Sequence, residues 1–235
     1  MFAPKIVSRE EWLAEREALL VEEKAMSRAA DALAEKRRTL PWVEVTKDYR
    51  FQTETGNKTL ADLFGKHSQL ITQHFMYAPG AEAGCALCSM WADNYNPMIN
   101  HFAARDVAFV AVSRAPLADF QTYKARMGWS FEWVSSNGSD FNFDYQASAT
   151  EEEIAADETT YNFRQTKPFA QDMPGASCFA KSDGKVYHTY SIYSRGLDRL
   201  NGIYNYLDIT PKGRDEEGLP FSMAWVRRHD EYGET

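Results

Sequence analysis

The chain has 235 residues, 44% of them hydrophobic and 14% aromatic, which is enough apolar material for one sizeable α/β core with an appendage and too much for a disordered polymer. Its 34 acidic residues outnumber the 26 Lys and Arg, and no basic block is interleaved with aromatics, so nucleic acid is not an expected partner. The N-terminus turns charged before any apolar run of signal-peptide length, and no later segment approaches the roughly 18 apolar residues of a membrane span, so a cytoplasmic protein with no membrane partner is expected.

Residues 8–38 carry a helical pattern. Trp12, Leu19, Met26, Leu33 and Leu40 recur at every seventh position, and Leu13, Leu20 and Ala30 widen the stripe. Ser8 and Glu11 have the spacing of a capping box. A Glu-rich first half and Lys36-Arg37-Arg38 at the end match the polarity of a helix dipole. The pattern predicts a long amphipathic helix ending near Pro41, hence an N-terminal arm over 1–40 and a main domain over 41–235. Its stripe must cover something apolar, and a homodimer through this helix is the expected partner state.

After the arm, alternation around Val43 to Val45 and Tyr49 to Thr53 predicts short strands, with Gly56-Asn57 as the turn and a short helix from Thr59 to Phe64. Ser68 to Tyr77 reads as a central strand broken by Pro79-Gly80. A helix is predicted from about Cys85 to Ala104, followed by the strand Asp106 to Ser113, whose near-continuous apolar run suits burial on both faces. Pro116 then opens a helix over Leu117 to Met127. Strand, helix, strand, helix implies a right-handed parallel unit, with the loop at Cys85 at the carboxyl end of its first strand.

Further on, residues 131–145 are aromatic and turn-rich, and residues 150–171 read as a polar surface loop or short helix. Ala176 to Lys181, Asp183-Gly184 and Lys185 to Tyr190 form an antiparallel hairpin. A helix around Gly196 to Tyr206 and an extended tail complete the chain. Together these elements have the order of an α/β thioredoxin-like fold, a central mixed sheet flanked by helices, preceded by the long helical extension.

The segment AGCALCSMW places Cys85 and Cys88 three positions apart. Three cysteines in a chain of this length are not a disulfide scaffold, and a close pair in a reducing compartment is catalytic or metal-binding more often than structural. At a strand-to-helix junction Cys85 meets unpaired backbone N–H groups and the positive end of the helix dipole, both of which favour thiolate. Cys88, one turn along, can attack a mixed disulfide on Cys85. Cys85 is thus the expected nucleophile and Cys88 the resolving thiol, acting on a protein or low-molecular-weight disulfide with no resident cofactor or metal, while Trp91 and Met90 give an apolar surround. C-x-x-C is also half of a zinc site. With His101, Cys178 and His188 as distant completions, a metal-binding or non-catalytic interaction module stays open as the alternative.

Other residues have two readings each. His74, at the end of the central strand, tunes Cys85 or is simply packed; Arg114 faces the same rim and holds Cys85 anionic or pairs with an acid. Cys178 reads as a buried strand residue. The run Trp129, Phe131, Trp133, Phe141, Phe143 and Tyr145 is core or a substrate groove.

The phrases HFMYAPGAEAGCALCSMWAD, RDVAFVAVSRAPL, MGWSFEWVSSNGSDFNFDY, VYHTYSIYSRGLD and LDITPKGRDE resemble the bacterial thioredoxin-like proteins of domain-of-unknown-function family 899, described as dithiol-disulfide oxidoreductases. The resemblance runs over nearly the whole chain, and the family's C-x-x-C falls on Cys85 and Cys88. The N-terminal layout, Tyr49-Arg-Phe51 with Gly56 and Leu60-Ala-Asp-Leu63, is also similar to peroxiredoxins. Their P-x-x-x-T-x-x-C pattern is absent, because Pro79 to Cys85 lacks the threonine and misplaces the proline. A thiol peroxidase is the weaker enzyme reading. The thioredoxin-like fold further implies a cis-proline opposite the dithiol, for which the candidate is Pro174.

Overall fold

A computed structural model describes residues 4–233. It divides into two compact units, Met1–Pro41 and Trp42–Thr235. The first is one helix, α1 (Arg9–Arg38), whose start carries the reciprocal capping box between Ser8 and Glu11. None of its residues is buried.

The second unit opens with β1 (Val43–Glu44), β2 (Arg50–Thr53) and β3 (Gly56–Thr59). The turn between β2 and β3 is Glu54-Thr55 rather than the expected Gly56-Asn57. Thr53 Oγ1 sets it, accepting from the Thr55 N–H and donating to the Gly56 carbonyl. The short helix expected over 59–64 is a single 3-10 turn, Asp62–Phe64. Then come β4 (Gln69–His74), α2 (Ala86–Ala92), α3 (Tyr95–Ala103), β5 (Val107–Ser113), α4 (Leu117–Arg126) and β6 (Trp133–Ser135). The single helix predicted over 85–104 is therefore two. Pro97 has no N–H to donate to the Asp93 carbonyl, and its ring crowds that carbonyl, so a continuous helix cannot pass through.

A short helix, α5 (Phe141–Asp144), lies in the aromatic, turn-rich stretch, and the segment read as a surface loop or short helix holds the short helix α6 (Glu151–Ala155) and an unforeseen ribbon, β7 (Thr159–Tyr161) with β8 (Arg164–Thr166). The hairpin β9 (Gly175–Ser182) and β10 (Lys185–Tyr193) turns at Asp183-Gly184 as expected. The last predicted helix is split into a 3-10 segment, Ser194–Leu200, and α7 (Gly202–Leu207), capped by Asn201.

Eight strands form one sheet in the order β1-β10-β9-β4-β5-β6-β2-β3. β4, β5 and β6 run parallel; β9 is antiparallel to β4, and β10 to β9. The core β10-β9-β4-β5 with its crossover helices is the thioredoxin-like arrangement, mixed in direction and flanked by helices. The alternation of β5 assigns the two faces. Phe109 and Ala111 join Phe75, Cys88, Trp91, Phe120 and Trp133 on one side, while Val110 and Val112 join Phe51, Phe64, Leu70, Phe141 and Phe179 on the other. Among the described residues, no helix is long and apolar enough to cross a membrane.

Candidate functional site at the paired thiols

β4 ends at His74, and the chain continues extended through Phe75, Met76 and Tyr77, because Phe75 N–H donates to Val112 and Ala115 N–H to Tyr77. This extension anchors the thiol loop. The Cys85 N–H donates to the Met76 carbonyl at 3.1 Å, and α2 begins at the next residue. Gly84 has to be glycine here, since a Cβ would sit 2.8 Å from a Phe75 ring carbon and 2.9 Å from a Tyr123 ring carbon.

Cys85 is half-buried, Cys88 is buried, and the two approach to 3.9 Å with both thiols free. Their surroundings push them in opposite directions. The Cys88 thiol leans on the Cys85 sulfur and favours its ionised form; burial opposes this, and the backbone N–H groups of Cys88 and Leu87 and the charge of Arg228 add to it. The net effect lowers Cys85 to about 7. Cys88 is raised well above the ordinary thiol value by that same donation, by burial and by the charge of Cys85, with Asp172 adding to the rise against an opposing Met76 N–H. Cys178, on β9, has only its burial, which pushes it up to about 11.

The other sequence candidates are distributed differently. His74 is buried and alternates with Phe75, so its ring lies on the opposite face, against Phe141 and Tyr145, where Nε2 is 2.9 Å from Ser177 Oγ. Burial, with a smaller effect of His188, lowers it to about 3, which makes it a neutral packed residue facing away from the thiols. Arg114 is committed to Asp172 through Nε at 2.7 Å and lies over the Phe143 ring. Both members of this pair are largely buried, and Arg114 Nη2 and Asp172 Oδ2 have no protein partner. Trp91 packs on Tyr204 and donates to the Leu197 carbonyl. Pro174 leads directly into β9, whose first residue pairs with His74, so it stands at the thiol end of the sheet. No described peptide bond is cis, however, so Pro174 is trans, contrary to expectation. The Pro174 carbonyl accepts from Tyr161 Oη at 2.8 Å, a contact that needs the unforeseen β7–β8 ribbon. Five of the six aromatics of the run are core, since Trp129, Phe131, Trp133, Phe141 and Tyr145 are buried, while Phe143 is half-buried under Arg114.

Sequence reasoning missed Arg228, in the tail. Its Nη2 donates to the Gly84 carbonyl at 2.7 Å and its Nε to Tyr123 Oη at 2.9 Å. Among the described residues no group of three or more His, Cys, Asp and Glu is arranged to hold a metal ion. A cavity of about 460 Å³ lined by Lys58, His67, Asn96, Phe109 and Phe131 includes Val107, the first residue of β5, and so belongs to the opposite end of the parallel strands.

A family model described as a bacterial protein of unknown function, DUF899, matches residues 1–232. The chain belongs to the DUF899 family. No curated protein matches it. Among solved structures, this DUF899 protein is similar to a bacterioferritin comigratory protein of Xanthomonas campestris described for alkyl peroxide reduction, at 11% identity and a TM-score of 0.48 over 70% of this chain and 94% of that one. A peroxiredoxin Q structure from the same organism gives 11% identity and 0.49 over 70% and 93%. Peroxidoxin BcpB from Mycobacterium tuberculosis gives 15% and 0.41 over 69% and 92%.

Proposed function

We propose that this DUF899 protein is a thiol–disulfide oxidoreductase in which Cys85 and Cys88 reduce a disulfide of a protein or a small molecule. The observation that carries the reading is the placement of two free thiols 3.9 Å apart at the start of α2, one half-buried and one buried, in surroundings that lower Cys85 to about 7 and push Cys88 up. A nucleophile with a pKa near the ambient pH is the best attacking thiol, and a protonated neighbour does not compete with it for substrate.

In the first step the Cys85 thiolate attacks one sulfur of the substrate disulfide. A Cys85–substrate S–S bond forms, the substrate S–S bond breaks, and the departing thiolate takes a proton. Cys88 then loses its proton and attacks the Cys85 sulfur, which releases the second substrate thiol and leaves a Cys85–Cys88 disulfide. Two electrons have passed from the dithiol to the substrate. The sulfurs have to close from 3.9 Å to about 2.05 Å, a movement within one helical turn. Cys178 takes no part, because its half-buried thiol is only pushed up, to about 11, by desolvation.

The test is a trap. With a model disulfide, Cys88→Ser should accumulate a mixed disulfide on Cys85, Cys85→Ser should abolish exchange, and Cys178→Ser should leave it nearly unchanged. Turnover retained by Cys85→Ser, or thiols that become reactive only after a chelator is added, would overturn the reading in favour of a metal-binding module.

A further inference from the structure

The C-terminal segment supplies a group that the dithiol mechanism does not yet use. Arg228 lies 144 positions beyond Gly84, yet its guanidinium donates to the Gly84 carbonyl at 2.7 Å. A second route runs through side chains. Arg228 Nε donates to Tyr123 Oη at 2.9 Å, Tyr123 Oη is 2.8 Å from Ser89 Oγ, and Ser89 Oγ donates to the Cys85 carbonyl at 2.8 Å. Since the serine hydroxyl is spent on that carbonyl, the tyrosine must donate to the serine and accept from the arginine, so every proton in the chain has one direction. The guanidinium therefore grips the carbonyls of the two peptides that flank the Cys85 Cα, one directly and one through two hydroxyls.

Fixed partners hold the guanidinium in turn. Nη1 is paired with Glu231 at 2.8 Å, and the cation lies over the Tyr123 ring. The tail that carries it is tied to the domain by Arg126 to Asp230 and Glu231, and by His229 to Asp93. An arginine forked in this way keeps its charge in one place, where a lysine would not.

We propose that Arg228 is a positioning residue for the Cys85 thiolate: it pins the peptide that presents the sulfur and keeps a fixed positive charge beside it. The charged and titratable groups around this arrangement are Cys88 and Arg228 beside the nucleophile, Glu231 and Tyr123 on the guanidinium, Asp172 toward Cys88, and the Asp93–His229 pair in the adjoining turn. The direction of the Arg228 charge on Cys85 agrees, since it favours the ionised sulfur. The inference rests on the thiol–disulfide reading but concerns the ionisation of one sulfur, which can be measured without a substrate.

The experiment follows alkylation of Cys85 in the full chain against pH, with peptide mass spectrometry to separate it from Cys88 and Cys178. Arg228→Gln should raise the midpoint and slow alkylation at pH 7 by about two- to fivefold, since a rise of one pKa unit from about 7 takes the thiolate fraction at pH 7 from about a half to about a tenth. Arg228→Lys should return only part of the rate, because the charge is kept but the fork that fixes it is lost. Tyr123→Phe, which cuts the side-chain route but leaves the charge, should raise the midpoint by a smaller step. An unchanged midpoint in Arg228→Gln overturns the proposal; where that variant does not fold, an unchanged midpoint in Tyr123→Phe does so. A lowered melting temperature without a midpoint shift would reduce Arg228 to a structural brace and also overturns it. Trapping by Cys88→Ser in the otherwise native chain tests the exchange reading separately, so either can fail alone.

Discussion

Cys85, just before α2, and Cys88, one turn inside it, are the same side chain and still differ, because the Cys88 thiol and nearby backbone N–H groups favour the ionised Cys85 sulfur while that same donation and deeper burial hold Cys88 protonated. That asymmetry sets a pH window. Cys85 titrates near 7 when folded, below the ordinary thiol value of 9.0, so its ionisation adds stability that grows from pH 7 to 9 and is lost as pH falls through 7. Cys88 and Cys178 are shifted upward, so above pH 9 the unfolded chain releases protons that the folded chain keeps, and stability declines again. The reduced protein should therefore owe most to its thiols near pH 9. Denaturant unfolding of the native chain and of Cys85→Ala from pH 6 to 10 should show a difference that is small at pH 6 and widens towards pH 9; a difference that stays flat would contradict the lowered Cys85. Alkylation should follow the same order, with Cys85 labelled through a midpoint near 7 and Cys178 silent at neutral pH. The placement of the two cysteines, Cys85 just before α2 and Cys88 within it, was legible from spacing at a strand-to-helix junction. For His74 and Arg114 the sequence left two readings each, because it places a residue on a strand end without saying which face it takes; the structure has His74 packed on the far side of the sheet and Arg114 paired with Asp172.

Elements were legible where the pattern was local. The capping box of α1, the apolar run of β5 and the Asp183-Gly184 turn each carry their own signal within a few residues. The break between α2 and α3 carries one too, in Pro97, but its position at Asp93-Asn94 also reflects distant groups: Asp93 Oδ1 accepts from Trp129 Nε1 and is paired with His229. Likewise the β7–β8 ribbon is held by Tyr161, which donates to Pro174 and accepts from the Ser194 N–H, and no window of sequence contains all three. The thiol loop shows how such packing reaches the chemistry. Gly84 is hemmed by Phe75 and Tyr123, two aromatic rings on different elements that cannot both retreat. Gly84→Ala should destabilise the domain by about 1–3 kcal/mol through overpacking and move the Cys85 peptide off the Met76 carbonyl. Unfolding in denaturant gives the first quantity and the neutral-pH alkylation rate of Cys85, expected to fall, gives the second. A variant as stable and as reactive as the native chain would show that the rings yield.

At the scale of the whole molecule, the parallel β4–β5 unit and the terminal hairpin followed from the alternation of elements, but the full strand order and the reach of the tail to the thiol loop did not, because 144 residues separate Arg228 from Gly84 and nothing local marks the contact. The N-terminal helix poses the opposite case, a pattern plain in sequence whose occupant has to be inferred. Trp12, Leu19, Met26 and Leu33 lie on one stripe of α1 and are 46%, 51%, 73% and 39% exposed. A stripe of large apolar side chains left in water favours association. Charge selects the arrangement. The first half of α1 holds Glu10, Glu11, Glu15, Glu17, Glu22 and Glu23 against Arg9 and Arg16, and the second half holds Lys24, Arg28, Lys36, Arg37 and Arg38 against Asp31 and Glu35. Two copies laid parallel would set acid against acid and base against base, whereas antiparallel copies set each half against its complement. We therefore expect an antiparallel α1–α1 dimer. Light scattering at tens of micromolar, roughly the range in which a modest apolar interface persists, should give twice the chain mass, and Leu19→Glu with Met26→Glu should give a monomer. In a chain whose three cysteines are replaced by serine, Glu23→Cys, near the helix midpoint and on the side of the stripe, should cross-link to its own copy while Arg9→Cys, on the same side near the helix start, should not. Efficient cross-linking at both positions would mean parallel helices, and a monomer under native conditions would remove the dimer altogether.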